Sequence, residues 1–467
     1  MMPPKETRCA EGRGRPEGKL REVAGVRTQS RVALPANLAR VSEAARRDKS
    51  TRFTALLHHV DVAALERAFR RLKRSAAPGV DGETVASYEE NLAHNLQRLH
   101  AQINSGRYRP RPVRRVYIPK ADGGQRPLGV PALEDKIAQG AVAEVLSTIY
   151  EADFLGFSYG FRPRRSAHQA LQALHTTFMT QYVNWVLDAD IQSFFDSVDH
   201  EWMLRMVAHR VADRRILQLI RGWLRAGVME GQRWSETEQG TPQGSGISPL
   251  LANVFMHHAL DLWVHQWRKR YARGRVIIVR YCDDFVMGFQ FEADARRMLV
   301  ELKERLAKFK LALHERKTRL IEFGNLASKL REQRGAGRCE TFNFLGFTHF
   351  CARSLDGRFV VKRRTDRRRL VRKLKELRAE ARRRMHAPVG VQRDWLASVL
   401  RGHYAYYGLP SNWHRLGTFY DEVCRLWYRV LSRRSQRWLA WSRFKQLLER
   451  FPLPRARITH ARTVVAC

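Results

Sequence analysis

The chain has 467 residues, enough for more than one hydrophobic core, and its 44% hydrophobic content is that of a protein that folds. Lys and Arg number 85 against 46 Asp and Glu, a net charge of +39, which favours nucleic acid as the partner over an anionic membrane surface. No apolar run follows the basic N-terminus and none of the six cysteines forms a C-x-x-C pair, so no membrane anchor, zinc ribbon or disulfide framework is expected, and a reducing cytoplasm is.

Residues 1–50 are rich in Arg, Glu, Gly and Pro with little apolar periodicity, which predicts a mobile basic tail. Val62, Leu65, Phe69 and Leu72 share one face of a helix expected over Val60–Arg74. Turn chemistry in Ala77-Pro-Gly-Val-Asp-Gly82 separates it from a second helix over Val85–Ser105. Val113–Pro119 alternates as a strand does, and Lys120-Ala-Asp-Gly-Gly-Gln-Arg126 reads as a hairpin turn. Val183–Asp190 is an apolar strand running into acids, followed by a helix over His200–Arg210. Arg275–Gln290 reads as strand, acidic turn, strand, and Leu299, Leu302, Leu306 and Phe309 mark a helix over Arg296–Lys310. Arg358–Arg384 carries fourteen basic and three acidic residues above the apolar stripe of Leu370, Leu374, Leu377 and Ala381, the pattern of a basic helix. Five of the eleven tryptophans lie from Trp395 onward, and most aromatics of Arg401–Pro410 are expected in a core.

Two carboxylates forced together repel and raise each other's pKa unless a cation separates them. An apolar strand that delivers paired acids into a turn, as Tyr281-Cys-Asp-Asp284 does, therefore suits a divalent-metal site. Asp188-Ala-Asp190 is a second acidic strand end. Taken singly, the turn is equally a solvated hairpin and the upstream acids a helix N-cap; their conjunction favours chemistry.

Asp190-Ile-Gln-Ser-Phe-Phe-Asp196, Gln239-Gly-Thr-Pro-Gln-Gly-Ser-Gly-Ile-Ser-Pro-Leu-Leu-Ala-Asn253 and Tyr281-Cys-Asp-Asp284 together resemble three successive reverse transcriptase motifs, in the version encoded by group II introns. Ile118–Gly129 is similar to that family's fingers loop and Ala77–Gly82 to its N-terminal extension; Gly156–Pro163 and Phe342–Phe347 fit as well, so the resemblance spans residues 51–460. It implies an α/β fold of right-hand polymerase type: an N-terminal extension over 51–112, fingers and an antiparallel palm sheet over 113–350, a helical thumb or maturase domain over 351–455, and a tail over 456–467 with no endonuclease domain. The implied activity is RNA-directed DNA polymerisation with two Mg²⁺ ions, on an RNA template with a DNA primer and deoxynucleoside triphosphates, joined to binding of the parent intron RNA in splicing and retromobility. A domesticated non-intron enzyme, or an RNA-chaperone maturase without polymerase activity, is the alternative.

Position by position, the resemblance makes Asp190 and Asp283 the metal-bridging acids, with the Ile191 carbonyl as a backbone ligand and Asp284 as the second acid of the turn. Phe195 takes the place of the steric gate against a 2′-hydroxyl, and Gln243 that of the glutamine packed on the incoming nucleotide. Lys120 and Arg126 match the cations that grip the triphosphate, and Lys317 lies near the leaving group. Arg367, Arg368 and Arg369 are the expected RNA contacts of the thumb. Cys282 stands where Ala or Val is commoner in the family, a substitution expected to add sensitivity to oxidation.

Overall fold

Apolar strands without polar alternation need cover on both faces, and the central sheet of this chain has it. A computed structural model describes residues 35–119, 124–230, 233–235, 239–241, 244–434 and 439–460. Its strands are β1 Val113–Pro119, β2 Gln125–Val130, β3 Trp185–Ala189, β4 Val228–Glu230, β5 Arg233–Ser235, β6 Val276–Tyr281, β7 Asp284–Phe289, β8 Arg319–Glu322, β9 Phe342–Phe344, β10 Phe347–Arg353 and β11 Phe359–Thr365. The central sheet has the order β6-β7-β3-β8 and is antiparallel throughout. Val276 and Ile278 of β6 enter one core with helix Glu292–Ala307, whereas Ile277 and Val279 enter a second with helix Ala167–Thr180. The period-two alternation is thus between two cores instead of core and water, which is why the strand reads as continuously apolar.

A second four-stranded sheet is ordered β2-β1-β4-β5, with β4 and β5 inserted in sequence between β3 and β6, and a three-stranded sheet ordered β11-β10-β9 follows the central one. The C-terminal third is helical: Arg367–Arg383, Val389–Tyr407, Trp413–Ser432 and Trp441–Arg450 surround a third core of Leu377, Leu400, Tyr404, Phe419, Trp427 and Phe444. The three cores belong to one compact unit. The fold is therefore mixed α/β, as expected. Among the described residues no helix is long and apolar enough to cross a membrane.

Several boundaries depart from the sequence reading. Residues 36–47 of the expected tail form a helix that buries Leu38, Val41 and Ala45, a three-residue apolar stripe that the surrounding arginines obscured; residues 1–34 lie outside the described residues. The helix expected over Val85–Ser105 is two, Val85–Glu90 and Leu92–Asn104, parted at Asn91, the first started by a reciprocal Thr84/Ser87 capping box. Arg358–Arg384 is not one helix. Its first part is β11, where Val361, Arg363 and Thr365 alternate inward, and Asp366 caps the helix that follows through Arg369 N–H at 3.0 Å. The start of the expected C-terminal tail is tied down: the His460 ring stacks on His168 with centroids 3.9 Å apart, and Nε2 meets the Ala405 carbonyl at 2.8 Å.

Candidate active site

β3 and β7 carry the two acidic segments side by side. Ala189 pairs with Phe285 in antiparallel register, so the next step along both strands sets Asp190 opposite Asp284. β6 and β7 join through Cys282 and Asp283, since Tyr281 pairs directly with Asp284. Cys282 has φ +61°, a left-handed conformation at the first central turn position, which two-residue hairpins favour and β-carbon-bearing residues resist.

A fully buried arginine holds this turn from behind. Arg280 of β6 donates to both carboxylate oxygens of Asp261, at 2.7 and 2.5 Å, to Asn253 Oδ1 at 3.0 Å, to Ser158 Oγ at 2.8 Å and to the Cys282 carbonyl at 2.7 Å. Neither Arg280 nor Asp261 has any exposed side-chain surface. Burial raises the Asp261 pKa and the guanidinium opposes it. Asn253 also donates to the Gly160 carbonyl at 2.6 Å. Gly160 lies against the turn so closely that a β-carbon there would sit 2.4 Å from the Cys282 amide nitrogen. The three quoted segments Gly156–Pro163, Gln239–Asn253 and Tyr281–Asp284 thus meet in one hydrogen-bonded unit.

The charges in front of the turn do not cancel locally. Asp190 pairs with Lys317 Nζ at 3.0 Å and Asp188 with Arg319 at 3.3 Å. The Asp284 side chain keeps part of its surface open to solvent although protein atoms crowd round its carboxyl group. Its pKa is pushed up to about 7, first by desolvation and then by the Asp283 and Asp190 charges, with Arg369 working against them. Burial also raises the Asp188 pKa against Arg319. Among the described residues, no three His, Cys, Asp or Glu side chains are gathered closely enough to enclose a metal ion. The donor chemistry nonetheless suits a hard divalent cation: mutually repelling carboxylates, oxygen ligands only, on strand ends.

Phe195 is half-buried, edge-on to the fully enclosed Phe194 at 5.3 Å, and its carbonyl accepts the Thr241 amide at 2.7 Å. That bond places the start of the Gln239–Asn253 segment beside Phe195. Farther along, a β-carbon on Gly244 would lie 2.6 Å from the Gly129 carbonyl of β2, and Ser245 Oγ donates to Gln139 at 2.7 Å. Gln243 itself and Lys120 lie outside the described residues, as does the Arg126 side chain, whose backbone pairs with Ile118. Ile191 is buried and bridges to Leu313, which brings the strand bearing Asp190 alongside the segment leading to Lys317. Arg367, Arg368 and Arg369 occupy the first turn of their helix and are exposed, but Arg369 turns toward Asp284 and hydrogen-bonds Tyr407.

The expected oxidation sensitivity of Cys282 meets an obstacle: the thiol is buried and its pKa is raised by desolvation and by Asp283, so little reactive thiolate forms. Sequence reasoning missed Arg280, Asp261, Asn253 and Ser158. One signal was present, a single arginine inside the apolar run Val276–Val279 and Tyr281, where an unpaired charge would be intolerable.

Comparison with known proteins agrees with the motifs. Residues 118–349 match the family model described as Reverse transcriptase (RNA-dependent DNA polymerase). Protein YkfC of Escherichia coli K12 is 36% identical over 244 residues, covering 46% of this chain and 64% of that protein. Group II intron-encoded protein LtrA of Lactococcus lactis is 36% identical over 202 residues, covering 43% of this chain and 33% of that protein. Nuclear intron maturase 1 of Arabidopsis thaliana is 28% identical over 95 residues, covering 20% of this chain and 13% of that protein. The chain thus spans less than two thirds of each of these relatives.

Proposed function

We propose that this chain, whose residues 118–349 match the reverse transcriptase family model, extends a primer 3′-hydroxyl with deoxynucleotides on an RNA template. The observation that carries the reading is the facing of Asp190 and Asp284 across β3 and β7, with Asp283 in the adjoining turn. In this reading the antiparallel sheet is the palm, β1 and β2 belong to the fingers, residues 51–112 are the N-terminal extension, and the helices after Asp366 are the thumb.

Asp190, Asp283 and the Ile191 carbonyl would hold two Mg²⁺ ions, with Asp284 the more peripheral acid. The ions, when bound, supply charge neutralisation at the attacking hydroxyl and at the pyrophosphate leaving group. Lys317 holds Asp190 in place and stands ready to meet the leaving group once Asp190 is engaged elsewhere. Phe195 presses on the sugar and leaves no room for a 2′-hydroxyl, while Gln243, Lys120 and Arg126 hold the incoming nucleotide. The helical C-terminal region also binds intron RNA, and the protein works in the cytoplasm as a maturase in splicing and mobility. The printed names of the Lactococcus and Arabidopsis relatives, a group II intron-encoded protein and an intron maturase, support the maturase part of the reading.

The test is primer extension by the purified chain on an RNA template, with and without a chelator. Asp190→Asn or Asp283→Asn should lower extension by at least ~10³-fold, roughly 4 kcal/mol of transition-state stabilisation. Near-normal extension by either variant would remove the catalytic assignment.

A further inference from the structure

One row across the three-stranded sheet buries a charge. Phe342 of β9, His349 of β10 and Arg363 of β11 stand opposite one another in antiparallel register, so their side chains share a face. His349 lies flat on the Phe342 ring, with centroids 4.8 Å apart and 7° between the planes, and has no exposed surface. The helix Ala167–Thr180 covers the row: Arg363 donates to the Leu171 carbonyl at 3.1 Å, and His175 follows Leu171 by one helical turn. We propose that Arg363, His349 and His175 bind a small monovalent inorganic anion, of the chloride class, between this helix and the sheet.

A guanidinium stays charged at neutral pH, and one taken out of water needs a counter-charge. Four arginines are buried among the described residues, and three of them have an acid: Arg162 pairs with Glu151, Arg210 with Asp153 and Arg280 with Asp261. Arg363, only 6% exposed, is the fourth, and burial lowers its pKa with no acid opposing the change. Four nitrogens of the cluster also have no hydrogen-bond partner among the described residues: Arg363 Nε, both ring nitrogens of His349, and His175 Nδ1. Whichever tautomer His349 adopts, one of its nitrogens carries a hydrogen without an acceptor. Burial and the Arg363 charge hold both imidazoles neutral, with the His175 pKa lowered to about 4. The cluster therefore carries one positive charge and a surplus of donors, which one negative charge satisfies. These nitrogens are closed off from solvent, so the ligand must shed its own water. A halide does so far more readily than a phosphate or sulfate, and it accepts N–H bonds from any direction.

The helix that closes the cluster belongs to two sheets. Leu171, Leu174 and Phe178 share one core with Ile277 and Val279 of β6 and with Phe342 and Phe347 of the three-stranded sheet. An anion held under this helix ties the third sheet to the strand that enters the acidic turn, and the stability of the folded chain then depends on the anion's concentration.

The experiment follows thermal unfolding of the full chain as chloride replaces gluconate at constant ionic strength, which keeps screening of the basic surface fixed. The wild-type midpoint should rise by a few degrees over about a hundred-fold range of chloride. Arg363→Met should lose that rise. His349→Phe keeps a ring against Phe342 and removes the donors, so it should need several-fold more chloride for the same rise. Arg364→Gln, at the exposed neighbouring position, should behave as the wild type. A wild-type midpoint indifferent to chloride overturns the site. So does a rise that survives unchanged in Arg363→Met, because the anion would then bind elsewhere on the surface. Should Arg363→Met fail to fold, equal chloride dependence in the wild type and His349→Phe overturns it instead. No readout depends on polymerase activity, so failure here is distinct from failure of the proposed function.

Discussion

Arg280 illustrates how much one side chain can decide. Its charge has no exposed surface, and all of its compensation comes from Asp261 and a ring of neutral acceptors. Removing one member of such a pair leaves the other charged and unmatched, a cost of about 3–5 kcal/mol. Asp261→Ala should therefore lower the denaturation midpoint sharply, whereas Glu43→Ala, on an exposed helical pair, should leave it nearly unchanged. Equal midpoints would show that Arg280 finds other partners. Phe195 poses the opposite question, because its neighbour Phe194 is the buried one. On the proposed reading Phe195→Val should raise ribonucleotide incorporation relative to deoxynucleotide more than it lowers total extension. A ratio that stays put, with activity falling, would make Phe195 a packing residue.

Among the elements, the basic stretch after Arg358 changed most between sequence and structure. Charge density hid the strand alternation of β11, where Arg363 turns inward, donates to the Leu171 carbonyl at 3.1 Å and has its pKa lowered to about 10 by burial. The strand leaves Arg364 exposed, the helix presents its arginines outward, and of the first helical turn Arg369 lies toward Asp284. On the proposed reading Arg367 and Arg368, both exposed in that turn, meet phosphates along an RNA. Replacing both with Gln should weaken RNA binding and flatten its log–log salt dependence by about 0.7 per lost contact on single strands. An identical slope would mean that this turn is simply solvated. Elements whose apolar period was clean, such as the helix Glu292–Ala307 and the strand pair β6–β7, were legible to within a few residues. Those defined by caps and breaks, such as the division at Asn91, were not, because a single residue's φ/ψ leaves little periodic trace.

For the molecule as a whole, the proposed polymerase and maturase roles rest on different regions. The acids lie on β3 and β7, whereas the aromatic helices from Trp395 enclose a separate core. Asp283→Ala combined with Asp284→Ala should abolish extension yet still promote splicing of an associated intron at low Mg²⁺, where RNA needs protein cations. Spliced-exon yield from the precursor RNA is the measurement. A yield no better than RNA alone, for the wild type as well, would remove the maturase role and leave the polymerase reading intact.

Legible in the sequence alone were the resemblance to reverse transcriptases, the mixed α/β class and the strand-end position of the acids, because these depend on local pattern: apolar period, turn chemistry and motif order. The sequence also placed Asp190, Asp283 and Lys317 among the candidates, and these lie near one another in the folded chain. It took the folded chain to show that Asp190 faces Asp284, that Arg280 anchors the turn from beneath and that Arg369 lies toward Asp284. Those facts join residues from two positions apart, Arg280 and Cys282, to ninety-four, Asp190 and Asp284. What brings them together is strand register and the need to pair a charge that packing has taken out of water, and neither is written in any local run of residues.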